Sequence, residues 1–170
     1  CRFGQVLGEP GHERGIEANP DQITAIQELQ SPTSAKQVQR LTGMAAALNR
    51  FISRASDKCR PFFQLLHKGS KFQWTPDCDQ ALQQLKRYLS SPPLLSTPTH
   101  GEALYLYLAV SDHAVSSVFI REEDGHQRPI YYTSKILLDA ETRYLQLEKL
   151  DLALVSASRK LSHYFQTFTI

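Results

Sequence analysis

The sequence predicts an α/β chain of the α+β kind, in which a run of helices precedes a small sheet and one further helix. Apolar residues recur at helical spacing through residues 20–89, strand-like apolar runs follow Gly101, and an Asp-Gly pair separates two of those runs. The chain has 170 residues, of which 41% are hydrophobic and 21% charged, so it is long enough to bury a core and has a globular composition. Its apolar runs are too short for a spanning helix, so no membrane segment is expected.

Capping residues and prolines indicate where the helices begin. Asn19 and Thr75 each precede a proline, which combines a capping side chain with a ring already at helical φ. Ser34 with Gln37 forms a capping box, and Asp57 is placed to cap a further short helix. The predicted helices are 20–29, 35–52, 57–68 and 76–89, and a short strand is expected over residues 2–8.

After Gly101 the pattern changes to strands. LYLYLAV is continuously apolar and is expected to be buried on both faces, and Asp124-Gly125 predicts a hairpin turn. The later helix is expected to face inward with Leu147, Leu150, Leu154, Ala157 and Leu161. An open sheet edge at the end of the chain would favour self-association. The predicted elements are strands 104–110, 114–122 and 128–134, a helix over 141–164 and the start of a fourth strand at 166–170.

The charges are unevenly distributed although their sum is only +2. Between residues 36 and 60, six basic side chains are opposed by Asp57 alone, which is a candidate footprint for phosphates. The alternative is a solvated helix surface. Three cysteines without a CxxC pair favour a reducing compartment. The basic residues are Lys36, Arg40, Arg50, Arg54, Lys58 and Arg60.

Four long blocks, in order, resemble a gypsy-type LTR retrotransposon Pol polyprotein, with the strongest similarity to plant elements. The resemblance covers nearly the whole chain and implies that it is a fragment of a longer protein. It implies three parts: the end of the reverse-transcriptase palm and its thumb (1–68), a connecting segment (69–100), and the N-terminal half of a ribonuclease H-like domain with a truncated mixed sheet (101–170). The blocks are GIEANPDQITAIQEL, VQRLTGMAAALNRFISR, FQWTPDCDQALQQLKRYL and IYYTSKILLDAETRYLQLEKLDLALVSASRKL.

The resemblance also implies that this chain is catalytically inactive on its own. The paired polymerase aspartates do not occur in it, and Ala109 and Leu150 stand where the family's first two ribonuclease H carboxylates are expected. The third carboxylate would follow Ile170. Full-length family enzymes use Mg²⁺ at such carboxylates. No cofactor, metal ligand or catalytic residue is therefore expected in this chain.

Two alternative functions remain open from the sequence. In the first, Asp112, Glu148 or Asp151 replaces the missing carboxylates, and the chain is a metal-dependent ribonuclease acting on RNA–DNA hybrids. In the second, the chain is a host-adopted protein-interaction domain. The family resemblance implies an intracellular setting, in a virus-like particle or the nucleus, and association with the rest of the Pol polyprotein.

The predicted helix 35–52 carries the candidate nucleic-acid contact opposite its apolar stripe. In the family, the thumb grips the template–primer duplex, so the resemblance implies contact with an RNA–DNA hybrid or primer–template duplex here. Small residues allow close backbone approach, and Lys and Arg contact phosphates without reading sequence. The candidate binding residues are Lys36, Gln39, Arg40, Gly43, Asn49 and Arg50.

Overall fold

A computed structural model of the chain describes residues 15–66 and 71–170. A helical layer comes first, followed by a sheet whose opposite face carries two further helices. The predicted strand at residues 2–8 lies outside the described residues. The elements are α1 (Pro20–Gln27), α2 (Ala35–Ala47), a 3₁₀ turn (Asn49–Phe51), α3 (Ala55–Gln64), α4 (Pro76–Leu89), β1 (Tyr105–Val110), β2 (Ala114–Glu123), β3 (His126–Ile136), a 3₁₀ turn (Glu141–Arg143), α5 (Gln146–Lys160) and α6 (Ser162–Thr167).

The predicted helix starts are confirmed where a capping side chain sets them. Asn19 Oδ1 accepts a hydrogen bond from Asp21 N at 2.9 Å, and Thr75 Oγ1 accepts one from Cys78 N at 3.3 Å. Ser34 caps α2 in the same way. The exception is α3, because it begins after Arg54, whose φ of 51° is left-handed. Asp57 therefore lies in the first turn of α3 and is not its cap.

One apolar core joins all four helices of the first layer. It contains residues from both sides of the predicted boundary at residue 68, since α4 packs against α1 and α3. The domain boundaries at 68 and 100 stay predictions. The fully buried side chains of this core include Ile26, Leu41, Leu48, Phe62, Leu82, Leu85 and Leu89.

The sheet is antiparallel with the strand order β1-β2-β3. The hairpin between β2 and β3 is confirmed: Asp124 has φ 52° and Gly125 has φ 74°, the left-handed pair that a tight two-residue turn requires. β2 lies in the middle and is buried along most of its length on both faces. Beside it, Arg121 anchors the preceding segment, with Nη2 at 3.1 Å from Glu102 Oε2 and Nη1 donating to the Thr97 carbonyl at 2.8 Å.

β1 is not buried on both faces, contrary to the sequence prediction. Tyr105 and Tyr107 are about half exposed, whereas Leu108 and Val110 pack with Val115 against α5. The continuous apolar run hides this alternation, because successive side chains on a strand point to opposite faces. Helices cover the Leu108 side, and the tyrosine side stays open.

The predicted helix 141–164 is not continuous, and its predicted inward face is wrong at Leu147 and Leu154, whereas Ala157 and Leu161 are buried as predicted. Tyr144 is extended, so α5 begins only at Gln146. Leu147 is 69% exposed and Leu154 43% exposed, while Ala153 and Ala157 are buried. The small alanines let α5 lie close to the sheet, and this packing turns the two leucines outward.

The chain end differs from the predicted strand in detail. Residues 162–167 form α6, and a parallel bridge between Ala103 and Thr169 follows it, with Leu104 N donating to the Thr169 carbonyl at 2.8 Å. This single parallel bridge lies outside the three named strands, whose pairings are antiparallel. Across the described ranges, no helix has both the length and the apolar character needed to cross a membrane.

Burial of the Cys59 thiol is expected to lower the free energy of unfolding at alkaline pH. Burial raises the pKa of Cys59 from 9.0 to about 11. Between these values the unfolded thiol ionises while the folded one stays neutral, so its contribution to stability is complete below pH 9 and is lost as the pH rises towards 11. We expect the stability difference between the wild type and Cys59→Ala to shrink by about 2–3 kcal/mol over this range. Urea unfolding at each pH measures it, and a constant difference would contradict the burial.

Candidate nucleic-acid interface

One side of α2 presents four of the predicted binding residues to solvent. Lys36, Gln39, Arg40 and Gly43 are all exposed, and we call them the α2 cationic face. They lie opposite the buried residues Val38, Leu41 and Ala45, because α2 is amphipathic and its apolar stripe packs on the helical core. At Gly43, an added Cβ would meet open space, so another molecule could approach the backbone there. The structure thus places these four residues on one surface.

Asn49 and Arg50 lie apart from that surface, in the 3₁₀ turn after α2. The Arg50 guanidinium carbon is 4.9 Å from the centre of the Tyr131 ring and 5.6 Å from that of Phe51. Its Nε atom is buried. Arg50 therefore packs the helical layer against β3. Asn49 lines a cavity of about 90 Å³ between α2, α3 and Ser134 of β3.

Two more basic residues of segment 36–60 are occupied within the protein. Arg54 Nη2 lies 3.0 Å from Asp57 Oδ2. Lys58 donates to the Ser53 carbonyl and lies over the Tyr88 ring, with burial lowering the pKa of its ammonium. Lys36 and Arg40, by contrast, pair with no carboxylate in the described part of the chain. The cations available for phosphates are fewer than the charge count suggests.

Ala109 and Leu150 do not form a magnesium site. Ala109 is exposed on the open, tyrosine-bearing face of β1, where it lines a cavity of about 100 Å³ with Arg54 and Tyr132. Leu150 is half-buried on α5, which packs against the other face. Mg²⁺ requires oxygen ligands, and neither side chain has one. The residues present at these positions therefore do not fit the metal.

The alternative acids are not gathered around a common point. Glu148 accepts a hydrogen bond from Leu145 N at 2.7 Å and so caps the start of α5. Asp151 is exposed about one turn after Glu148 on α5, and Asp112 is exposed in the loop between β1 and β2. Over residues 15–66 and 71–170, no group of three or more His, Cys, Asp or Glu side chains could hold a metal ion.

Sequence reasoning missed one cavity that three basic side chains line. A groove of about 450 Å³ between β3 and α5 is lined by Lys135, Arg159 and Lys160, and we call it the β3–α5 groove. Lys135 is 24 positions from Arg159 in sequence, so local patterns did not connect them. The sequence contains one signal for it, the alternation of side chains between the two faces of a strand. Lys135 pairs with Val115 in the sheet and therefore lies on the face that α5 covers.

An antiparallel hairpin sheet with a helix packed across one face, preceded by a layer of helices, defines the ribonuclease H-like class of fold within reverse transcriptases. Residues 74–170, more than half of the chain, match the family model described as the RNase H-like domain found in reverse transcriptase. The chain belongs to this family.

The similar proteins agree with this assignment. The chain is 27% identical to the Tf2-3 and Tf2-4 transposon polyproteins of Schizosaccharomyces pombe (strain 972 / ATCC 24843) over 172 residues, covering 98% of this chain. It spans about 13% of the length of these relatives. The predicted similarity to retrotransposon polyproteins is confirmed at this level.

Two solved structures share the fold. A foamy viral protease-reverse transcriptase in complex with an RNA/DNA hybrid matches with a TM-score of 0.73 and 23% identity, over 86% of this chain and 20% of that one. The same viral protein in complex with dsDNA matches with a TM-score of 0.72 and 22% identity, over 86% of this chain and 31% of that one. The predicted α/β fold class is confirmed.

A measurement of the free energy of unfolding can distinguish Arg50, which packs within the protein, from the exposed residues of the α2 cationic face. We expect Arg50→Ala to lower the free energy of unfolding by about 1 kcal/mol, because the cation–π contacts with Tyr131 and Phe51 are lost. Lys36→Ala with Arg40→Ala should change it by less than about 0.5 kcal/mol, as is usual for exposed side chains. Arg50→Lys is the matched control that keeps the charge but not the planar stacking. Equal stabilities of Arg50→Ala and the wild type would contradict this role.

Proposed function

We propose that this chain is part of the Pol polyprotein of a gypsy-type retrotransposon, of the kind found in plants, and that it holds a nucleic-acid duplex without cutting it. The observation that carries the proposal is the α2 cationic face. Its two unpaired cations lie about one helical turn apart, beside a glycine with open space in front of it.

This face suits the backbone of a duplex. Lys36 and Arg40 supply solvent-exposed positive charge at a spacing of four residues, so both project from one side of α2. Gln39 adds a neutral donor, and Gly43 removes the side chain that would keep a phosphate from the helix backbone. Such contacts fix position and carry no sequence preference. The foamy viral proteins of similar fold were solved with an RNA/DNA hybrid or dsDNA, which supports a duplex as the ligand here.

The proposed absence of cutting follows from residue chemistry. Two-metal hydrolysis needs several carboxylates around the scissile phosphate. Ala109 and Leu150 offer a methyl and an isobutyl group, and Glu148 is engaged at the start of α5. The chain would then act together with other parts of a Pol polyprotein, such as those carried by the transposon relatives.

One experiment tests binding and cutting together. Fluorescence anisotropy of a labelled RNA–DNA hybrid is followed as protein is added in Mg²⁺ at several salt concentrations. We expect a salt-sensitive rise that then holds steady. For Lys36→Gln with Arg40→Gln, the slope of log K against log salt should shrink by about 2, close to one unit for each lost phosphate contact.

The control is Lys71→Gln with Arg87→Gln, which removes the same charge at two other exposed positions. Equal slopes for the α2 variant and this control would overturn the proposed grip. A rise followed by a fall, abolished by EDTA and by Asp112→Asn, Glu148→Gln or Asp151→Asn, would instead establish the ribonuclease.

A second candidate function is protein association, which the outward face of α5 and the loop before it favour. Leu138, Leu145 and Leu147 are 66–71% exposed and lie close in sequence, and contiguous exposed apolar patches are typical of interaction surfaces. We expect Leu145→Gln with Leu147→Gln to lower the apparent mass in sedimentation velocity at high protein concentration. If the wild type is monomeric at every concentration, self-association through this face is excluded.

A further inference from the structure

The β3–α5 groove is a built cavity lined mainly by small and hydroxyl side chains. Val115 of β2 lines it, and Ala153 and Ser156 of α5 leave space where larger residues would close it. The volume of about 450 Å³ lies in the range of ligand-binding clefts. Three cations, Lys135, Arg159 and Lys160, line it together with these residues.

The cations of the groove are not equally available. Lys135 Nζ lies 2.6 Å from Glu141 Oε1, so its charge is already compensated. Arg159 and Lys160 have no carboxylate partner among the residues that the structure describes. The surrounding protein desolvates the Lys160 ammonium and lowers its pKa, although the residue is exposed overall. An anion in the groove would compensate this charge.

The β3–α5 groove shares one residue with the smaller cavity beside α2. Ser134 lines the groove on one side of the edge strand β3 and, on the other, the smaller cavity that Asn49 and Ala46 line. A nucleic-acid strand that leaves α2 near Ala46 has to pass the edge strand β3 to reach Arg159 and Lys160. β3 is the one strand of the described sheet between the two cavities.

We propose that the β3–α5 groove binds a backbone phosphate of the nucleic acid that α2 holds, with Arg159 and Lys160 as the contacting cations and the Ser156 hydroxyl as a further donor. This inference rests on the proposed function, because it extends the path of the same ligand. Both cations lie in the last turn of α5, where positive charge also stabilises the helix end. Binding, and not stability, is therefore the decisive measurement.

The test uses the labelled RNA–DNA hybrid with the full chain and the variant Arg159→Gln with Lys160→Gln. We expect the slope of log K against log salt to shrink by about one to two units, and Kd to rise roughly three- to tenfold at physiological salt. The control is again Lys71→Gln with Arg87→Gln. A slope and a Kd equal to those of the control overturn the groove, while a weakened α2 variant in the same series leaves the proposed function standing.

The opposite pattern of results would support the groove and exclude the α2 contact. If Arg159→Gln with Lys160→Gln weakens binding and the α2 variant does not, the groove is supported and the proposed grip fails. A second measurement avoids any folding defect of the variants: the amide resonances of Ser156, Arg159 and Lys160 in ¹⁵N-labelled wild type should shift as the hybrid is added. Unmoved resonances at saturating hybrid would overturn the proposal.

Discussion

The rest of the structure depends on the burial of β2 on both faces. A central strand of this kind needs a cover on each side, and α5 and α6 supply only one. The helical layer supplies the other, with polar contacts: Ser56 Oγ bonds Ser134 Oγ at 3.0 Å, and Ser111 donates to Asp57 Oδ1 at 2.7 Å. These contacts fix α3 against the sheet, and α2 packs on α3, so the position of the α2 cationic face relative to the β3–α5 groove is a consequence of covering β2.

The same constraint separates the basic residues into two groups. Basic residues near the junction of the helical layer and the sheet make contacts within the protein: Arg50 packs on Tyr131, and Arg54 pairs with Asp57. Those farther out, Lys36 and Arg40, remain in solvent. The net charge of a segment determines its long-range electrostatic field. A phosphate contact, however, needs a cation that is not already paired or packed within the protein. Burial and pairing therefore reduce the basic segment to a smaller contact surface.

The parts that could be predicted from sequence are those whose causes are local. The starts of α1, α2 and α4 follow from a cap within three residues, and the hairpin follows from Asp124-Gly125. The predictions that Leu147 faces inward and that β1 is buried on both faces were wrong. Exposure at these positions depends on which neighbouring element covers them. The α2 face was predictable from its helical period, whereas the groove joins residues from two distant elements.

Duplex binding tolerates the loss of single side chains better than hydrolysis does. This difference supports the proposal that the chain binds a duplex without cutting it. A salt-dependent grip sums several independent phosphate contacts, so losing one, such as Arg50, weakens it without abolishing it. Two-metal chemistry depends on carboxylates held together at one point, so it fails where those carboxylates are missing. Ala109 and Leu150 carry no ligand oxygen, and no group of three or more His, Cys, Asp or Glu side chains in residues 15–66 and 71–170 could hold a metal ion. A chain can therefore lose hydrolysis while keeping the positive surface that would hold its substrate.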